Sequence, residues 1–484
     1  MSTTVSAQQS PTLTNEDFGV GRPGGLNRII MGRSSEGNTR PRRVNSGALE
    51  DPSGRGLTSF YEALRQIETG ERLTPIHILH YGDSHTAADL LTGTLRRLLQ
   101  ERFGDGGAGF LFAGRPWKTY WHTRARFGNS SGWLSEGIGT QQQQNGFYGL
   151  GGVSMVSRNA GETIWVETIW SNFDIYLWKE PAGGQLSVYV DGILNTTTSL
   201  QANEPQVDYL TLTAVEGLHR VELRTLDNGC ARIFGFIAER ANGLSYDTLG
   251  INGARVTRLL SWNEKLLTEH LARRRPDLII VAYGTNEMSD LDWHPITYAA
   301  QFSAAVNRLQ RAVPSAAILI LGPPERAIRQ GRKWQVLDNQ LSIIEVQRRV
   351  AQAHSWAFWN SYRAMGGKGS IHRWSLTSPP LAQPDHVHLT RAGYDRIAQL
   401  IYQDLIRGYR APQQSQKDRN DNSAMWLVTL AALGLATGYQ LHTHSAKTLL
   451  ARFSLRLVKG RPRFAAPLSD VPGRIRSVPA PPVD

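Results

Sequence analysis

Hydrophobic and polar positions along the chain follow two rhythms. From about 56 to 114, and again from about 241 to 410, short apolar runs alternate with segments whose apolar residues recur every three or four positions. Ile76-His77-Ile78-Leu79-His80-Tyr81 reads as a buried strand, and Ala88, Leu91, Leu95, Leu98, Leu99 and Phe103 mark the helix after it, closed by Gly104. Further strands are predicted to end at Gly250, Gly284 and Gly322, with another at Trp356-Ala357-Phe358-Trp359-Asn360. Helical spacing returns at Phe302, Ala305, Val306, Leu309 and Val313, and at Tyr394, Ile397, Ile401 and Leu405, with Thr390 as an N-cap. This alternation predicts an α/β fold with a doubly wound, flavodoxin-like parallel sheet.

Between about 115 and 240 the period changes to two, as in Thr163-Ile164-Trp165-Val166-Glu167, Phe173 to Trp178, Leu186 to Val190 and His219 to Leu223. Turn residues such as Ala182-Gly183-Gly184 and Asp191-Gly192 separate the runs, which predicts an inserted antiparallel β-sandwich domain. Its tryptophans include Trp117, Trp121, Trp165, Trp170 and Trp178; the pattern sends most of them to the core, and one left exposed would offer a face to a sugar ring. Gly104 to Gly109 reads as a flexible turn and Gln141 to Asn145 as a loop. Residues 1 to 55 are rich in small polar residues and arginine, and read as a disordered or extended arm.

Candidate chemistry sits at the strand ends. Gly82-Asp83-Ser84-His85 places a serine hydroxyl at a strand-to-helix turn, where unpaired helix N–H groups favour negative charge. In Pro384-Asp385-His386-Val387-His388, Asp385 and His388 are three residues apart, so one turn can bring carboxylate against imidazole. His386 is the rival base; His388 is favoured because adjacent side chains in a turn seldom fold back on each other. Asn286, beyond the run Leu278 to Ala282, puts an amide donor at the carboxyl edge, where sites form in open α/β sheets.

Gly82-Asp83-Ser84, Gly250-Ile251-Asn252-Gly253, Gly284-Thr285-Asn286 and Asp385-His386-Val387-His388 resemble, in order, the four blocks of the SGNH (GDSL-type) serine hydrolases. The resemblance implies Ser84 as nucleophile, Asp385 and His388 as its triad partners, and an oxyanion hole from Ser84, Gly253 and Asn286, with Gly250 as rival to Gly253. It implies no metal and no cofactor. His85 stands where the family usually has leucine. With the long gap between the first two blocks, this is similar to the peptidoglycan O-acetylesterase branch, which carries an inserted carbohydrate-binding-like β domain. The function expected is removal of O-acyl groups, mainly acetyl, from a polysaccharide such as peptidoglycan or an exopolysaccharide. An O-acyltransferase or accessory protein of cellulose or exopolysaccharide synthesis, using the same serine, is the alternative; a glycan-binding scaffold with a vestigial site is the third.

Composition adds partners and compartment. At 484 residues the chain has room for two or three domains, and its single Cys230 excludes an intramolecular disulfide framework. A net charge of +12 suits an acidic partner such as an anionic glycan or lipid headgroups, while no nucleic-acid-binding motif is present. From 411 the chain reads as a linker, an uncharged apolar segment at 424–440 and a basic tail. The apolar segment suggests membrane or synthase association, slightly short of the roughly 20 residues of a full span. No charged stretch followed by an apolar core marks a secretory signal at the N-terminus, yet the tail's positive charge would place the hydrolase outside an inner membrane, in the cell envelope or periplasm.

Overall fold

Five parallel strands organise the molecule, whose computed structural model describes residues 47–137, 146–290 and 292–410. Most of the expected N-terminal arm, the Gln141 to Asn145 tract, the apolar 424–440 segment and the basic tail lie outside the described residues. Across the sheet the strands run Leu244–Gly250, Ile76–Gly82, Leu278–Ala282, Ala317–Gly322 and Ala357–Asn360, with the short Leu49–Glu50 strand antiparallel at the far edge. In chain order the five parallel strands read 2-1-3-4-5, the doubly wound order whose winding reverses between the first strand and the third. A crevice therefore opens at the carboxyl ends of Ile76–Gly82 and Leu278–Ala282.

Period-two geometry explains why these runs are apolar on both faces. Ile78, Leu278, Ile280 and Leu319 pack under the helices on one side, together with Leu95, Leu99, Ile397 and Ile401. Leu79, Tyr81, Ile279, Val281 and Ile320 face the other side, where the core is continuous with that of the β-rich segment through Trp170, Phe236 and Trp262. That segment is antiparallel, as its alternation predicted, and its nine strands join in one hydrogen-bonded network. The predicted runs at 163–167 and 173–178 are two halves of one long strand, Thr163–Lys179, paired along Gln206–Thr225 with a register break between Thr213 and Gly217.

Two local expectations change. The glycine run is not a flexible turn: Gly107–Leu111 is a buried strand paired with Ala231–Glu239. A Cβ on Gly106 would lie 2.6 Å from the Leu244 carbonyl carbon, and one on Gly107 2.6 Å from the Ala238 oxygen, so these positions serve close backbone packing. The helix expected after Ser84 is two helices, Ser84–Ala87 and Leu91–Phe103, with Asp89 at φ 48° between them. The buried Asp89 carboxylate accounts for the break. It accepts from Arg96 Nη2 at 2.7 Å, Thr92 and Thr248 hydroxyls at 2.8 Å each, and the Thr123 amide at 2.8 Å. A buried charge is tolerated when it is paired and hydrogen-bonded, and this one ties the β-rich segment to the turn that follows Ser84.

Gly250 ends its strand against the Ser84–Ala87 helix: a Cβ there would fall 2.2 Å from the Ala87 nitrogen. Gly250→Ala should destabilise the protein by about 1–3 kcal/mol through overpacking. Thermal unfolding checks it, and an unchanged Tm would contradict the close approach.

Candidate active site

Ser84 begins its short helix directly beyond the Ile76–Gly82 strand. Its N-cap, Asp83, accepts from the His85 amide at 2.9 Å, which holds the turn. His388 arrives from the far end of the α/β region. Just after it Thr390 caps a helix over 391–410, accepting from the Gly393 amide at 3.2 Å. The Ser84 Oγ lies 3.0 Å from His388 Nε2, and His388 Nδ1 lies 2.7 Å from Asp385 Oδ2. Asp385 Oδ1 accepts from the amides of Val387 and His388 at 2.9 and 3.0 Å, so the carboxylate is fixed by its own turn. These bonds hold the Asp385 carboxyl below its ordinary range despite partial burial, which opposes them.

His386 turns away. Its Nε2 is 3.0 Å from the Ser375 hydroxyl and its ring lies 3.7 Å, centroid to centroid, from Trp334. Its φ of 53° carries out the reversal that puts neighbouring side chains on opposite sides. His85 also stands apart from proton transfer. Burial pushes its imidazole down to about 3, its Nδ1 meets the Tyr394 hydroxyl at 2.9 Å, and its ring packs 5.5 Å from that of His388.

Ser84, Gly253 and Asn286 all follow strand ends at the same carboxyl edge of the sheet. Neither the Ser84 nor the Gly253 amide has a protein acceptor among the described residues. Gly253 is exposed at φ 72° with open space around it, whereas Gly250 is buried within its strand, which separates the two glycines. Asn286 Nδ2 donates to the Ala254 carbonyl at 2.9 Å, locking the amide side chain to the loop that carries Gly253 and leaving a second N–H.

The supporting carboxylates were not evident from the sequence. Glu287 is buried and accepts from the amides of Val256 at 2.8 Å and Gly284 at 3.1 Å, clamping the Gly253 loop to the next strand end. Burial pushes its carboxyl up to about 7. Burial likewise raises Asp83 to about 6, against the opposing bonds from the His85 amide and Thr285 side chain. Arg326, half-buried, donates to the Thr285 carbonyl at 2.8 Å. The usable signal was Glu287 directly after Asn286, an acid without a visible surface role.

The GDSL-like lipase/acylhydrolase family model matches residues 215–396, a stretch holding Gly253, Asn286, Asp385 and His388 but beginning after Ser84, which the β insertion separates from them. Among solved structures, a peptidoglycan O-acetylesterase is 27% identical, covers 75% of this chain and 100% of its own, and superposes with a TM-score of 0.65. A family two carbohydrate esterase from Cellvibrio japonicus is 14% identical over 59% of this chain and 97% of its own, at a TM-score of 0.25. Comparison with curated protein sequences returned no match. The family model and the first of these structures support the SGNH (GDSL-like) hydrolase family, and within it the branch of the peptidoglycan O-acetylesterases. Both findings support an SGNH hydrolase enzyme. Among the described residues, no helix is long and apolar enough to cross a membrane.

Glu287 and Asp83 have raised pKa values when folded, so the stability they contribute is complete below the unfolded carboxylate range. It is lost as pH rises through about 6 for Asp83 and about 7 for Glu287. Tm should fall between about pH 4 and pH 8, with a shallower slope in Glu287→Gln. An identical slope in that variant would contradict a raised Glu287.

Proposed function

We propose that the chain is a serine esterase that removes O-acyl groups, chiefly acetyl, from a polysaccharide, with peptidoglycan the best-supported glycan. The observation that carries the reading is the continuous relay Ser84 Oγ–His388 Nε2–His388 Nδ1–Asp385 Oδ2, at 3.0 and 2.7 Å. Similarity along the whole length of a peptidoglycan O-acetylesterase supports the glycan and the leaving group.

In this mechanism Asp385 holds the imidazole with its proton on Nδ1, leaving Nε2 free to accept the Ser84 proton as Oγ attacks the ester carbonyl. The amides of Ser84 and Gly253 and the second N–H of Asn286 stabilise the oxyanion; such preorganised donors act where charge develops. Collapse of the tetrahedral intermediate returns the His388 proton to the departing sugar oxygen and leaves an acyl ester on Ser84. Water, deprotonated by His388, attacks that ester; its breakdown releases the acid and restores the serine proton. Attachment to the cell envelope through the 424–440 segment is part of the proposal, because that segment is uncharged and precedes a basic tail.

Ser84→Ala should lower turnover of p-nitrophenyl acetate, and acetate release from O-acetylated peptidoglycan, by on the order of 10³-fold or more with an unchanged far-UV spectrum. Asp385→Asn should lower kcat substantially while leaving KM near its starting value. Wild-type rates in either variant would overturn the assignment.

A further inference from the structure

Trp121 is the one tryptophan in the loop after Gly114 that the fold holds out of its core while fixing both neighbours. On one side, Tyr120 is buried, stacks on Phe127 at 4.5 Å and accepts from the Phe112 amide at 3.1 Å. On the other, His122 is buried and Thr123 bonds the Asp89 carboxylate through its amide at 2.8 Å and its hydroxyl at 2.7 Å. Between these anchors Trp121 is 41% exposed. A free tryptophan gains by burial, so a backbone pinned on both sides that leaves the ring in water needs another explanation.

Its surroundings supply one. The Arg391 guanidinium carbon stands 5.9 Å from the Trp121 ring centroid. Arg391 is exposed, makes no ion pair among the described residues, and follows His388 by three positions. Its Cα is thus no more than about 11 Å from that of His388. Asp89, which anchors the other side of the Trp121 loop, follows Ser84 by five positions. The helix that follows Asp89 and the helix that carries Arg391 meet where the Thr94 hydroxyl donates to Asp395 at 2.5 Å. Lys118, in the same loop, is exposed and likewise without a carboxylate partner among the described residues.

We infer that Trp121 and Arg391 form a sugar-binding platform beside the triad, on which a pyranose of an anionic glycan stacks its apolar face on the indole while the guanidinium meets its carboxylate or hydroxyls. The inference rests on the esterase reading and specifies which surface of the inserted segment meets the polymer. An aromatic face with an adjacent unpaired cation suits a ring that is apolar on one side and acidic at its edge. Lys118 extends the positive rim. The buried Asp89 network makes the platform rigid, so a ring bound there is held relative to both Ser84 and His388.

Sedimentation with O-acetylated peptidoglycan sacculi, in a Ser84→Ala background where nothing turns over, tests binding apart from chemistry. Trp121→Ala should weaken binding about tenfold, Trp121→Phe should restore most of it, and Arg391→Ala should weaken it severalfold. In the otherwise wild-type enzyme, Trp121→Ala should raise KM for the sacculi with kcat little changed, while p-nitrophenyl acetate, which has no sugar to stack, is affected far less. Undiminished sedimentation by both Trp121→Ala and Arg391→Ala would overturn the platform. So would equal losses on polymer and small ester, which would mark Trp121 as structural. Failure of the esterase reading shows separately, as p-nitrophenyl acetate turnover that survives Ser84→Ala.

Discussion

Register among three strands is the constraint on which the site depends. Gly82 is paired with Gly250 on one side and Ala282 on the other, so three strands stop at one level of the sheet. Ser84 lies two residues past that line, Gly253 three and Asn286 four. Because the winding reverses between Ile76–Gly82 and Leu278–Ala282, no crossover helix covers the ends, and the three donors share an open edge. A slip of one residue would swap the two apolar faces of a strand as well as shift its donor. The cores that fill both faces therefore enforce the geometry of the site.

Buried carboxylates convert that alignment into fixed loops. Asp89 is neutralised by Arg96 and joins the Ser84 turn to the β-rich segment. Asp83 and Glu287 make no ion pair among the described residues and are held instead by amides and a hydroxyl, which is why burial raises them both. Glu287 grips the amides of Val256 and Gly284, and Asn286 grips the Ala254 carbonyl, so the Gly253 loop is fastened on both flanks. Fixed donors lose little entropy when charge develops before them, the condition for oxyanion stabilisation.

Much of this was legible in the residue pattern, for physical reasons. Strands buried on both faces write continuous apolar runs, so Ile76 to Tyr81 and Leu278 to Ala282 were readable with their carboxyl ends, and Ser84 and Asn286 with them. Asp385 and His388 were readable because a single turn sets their contact. The break at Asp89 was not, since its cause is a buried partner set drawn from Arg96, Thr123 and Thr248, residues remote in sequence. The strand at Gly107–Leu111 was hidden because its glycines, turn formers by habit, are used for close backbone approach. Tyr394 gave no sign of its contact with His85, and the place of Glu287 beside Asn286 did not show which amides it would hold, because these contacts arise only when separate elements meet. The exposure of Trp121 was open in the same way: period-two alternation cannot show which aromatic a loop keeps in water.

In the proposed mechanism one serine, activated by His388 and Asp385, carries the acyl group. Intact-mass and peptide mass spectrometry of the protein after exposure to a fluorophosphonate reporter identifies the nucleophile. A single adduct is expected on the peptide containing Ser84, formed far more slowly in His388→Ala. An adduct on another residue, or labelling at Ser84 that is indifferent to His388, would contradict the mechanism.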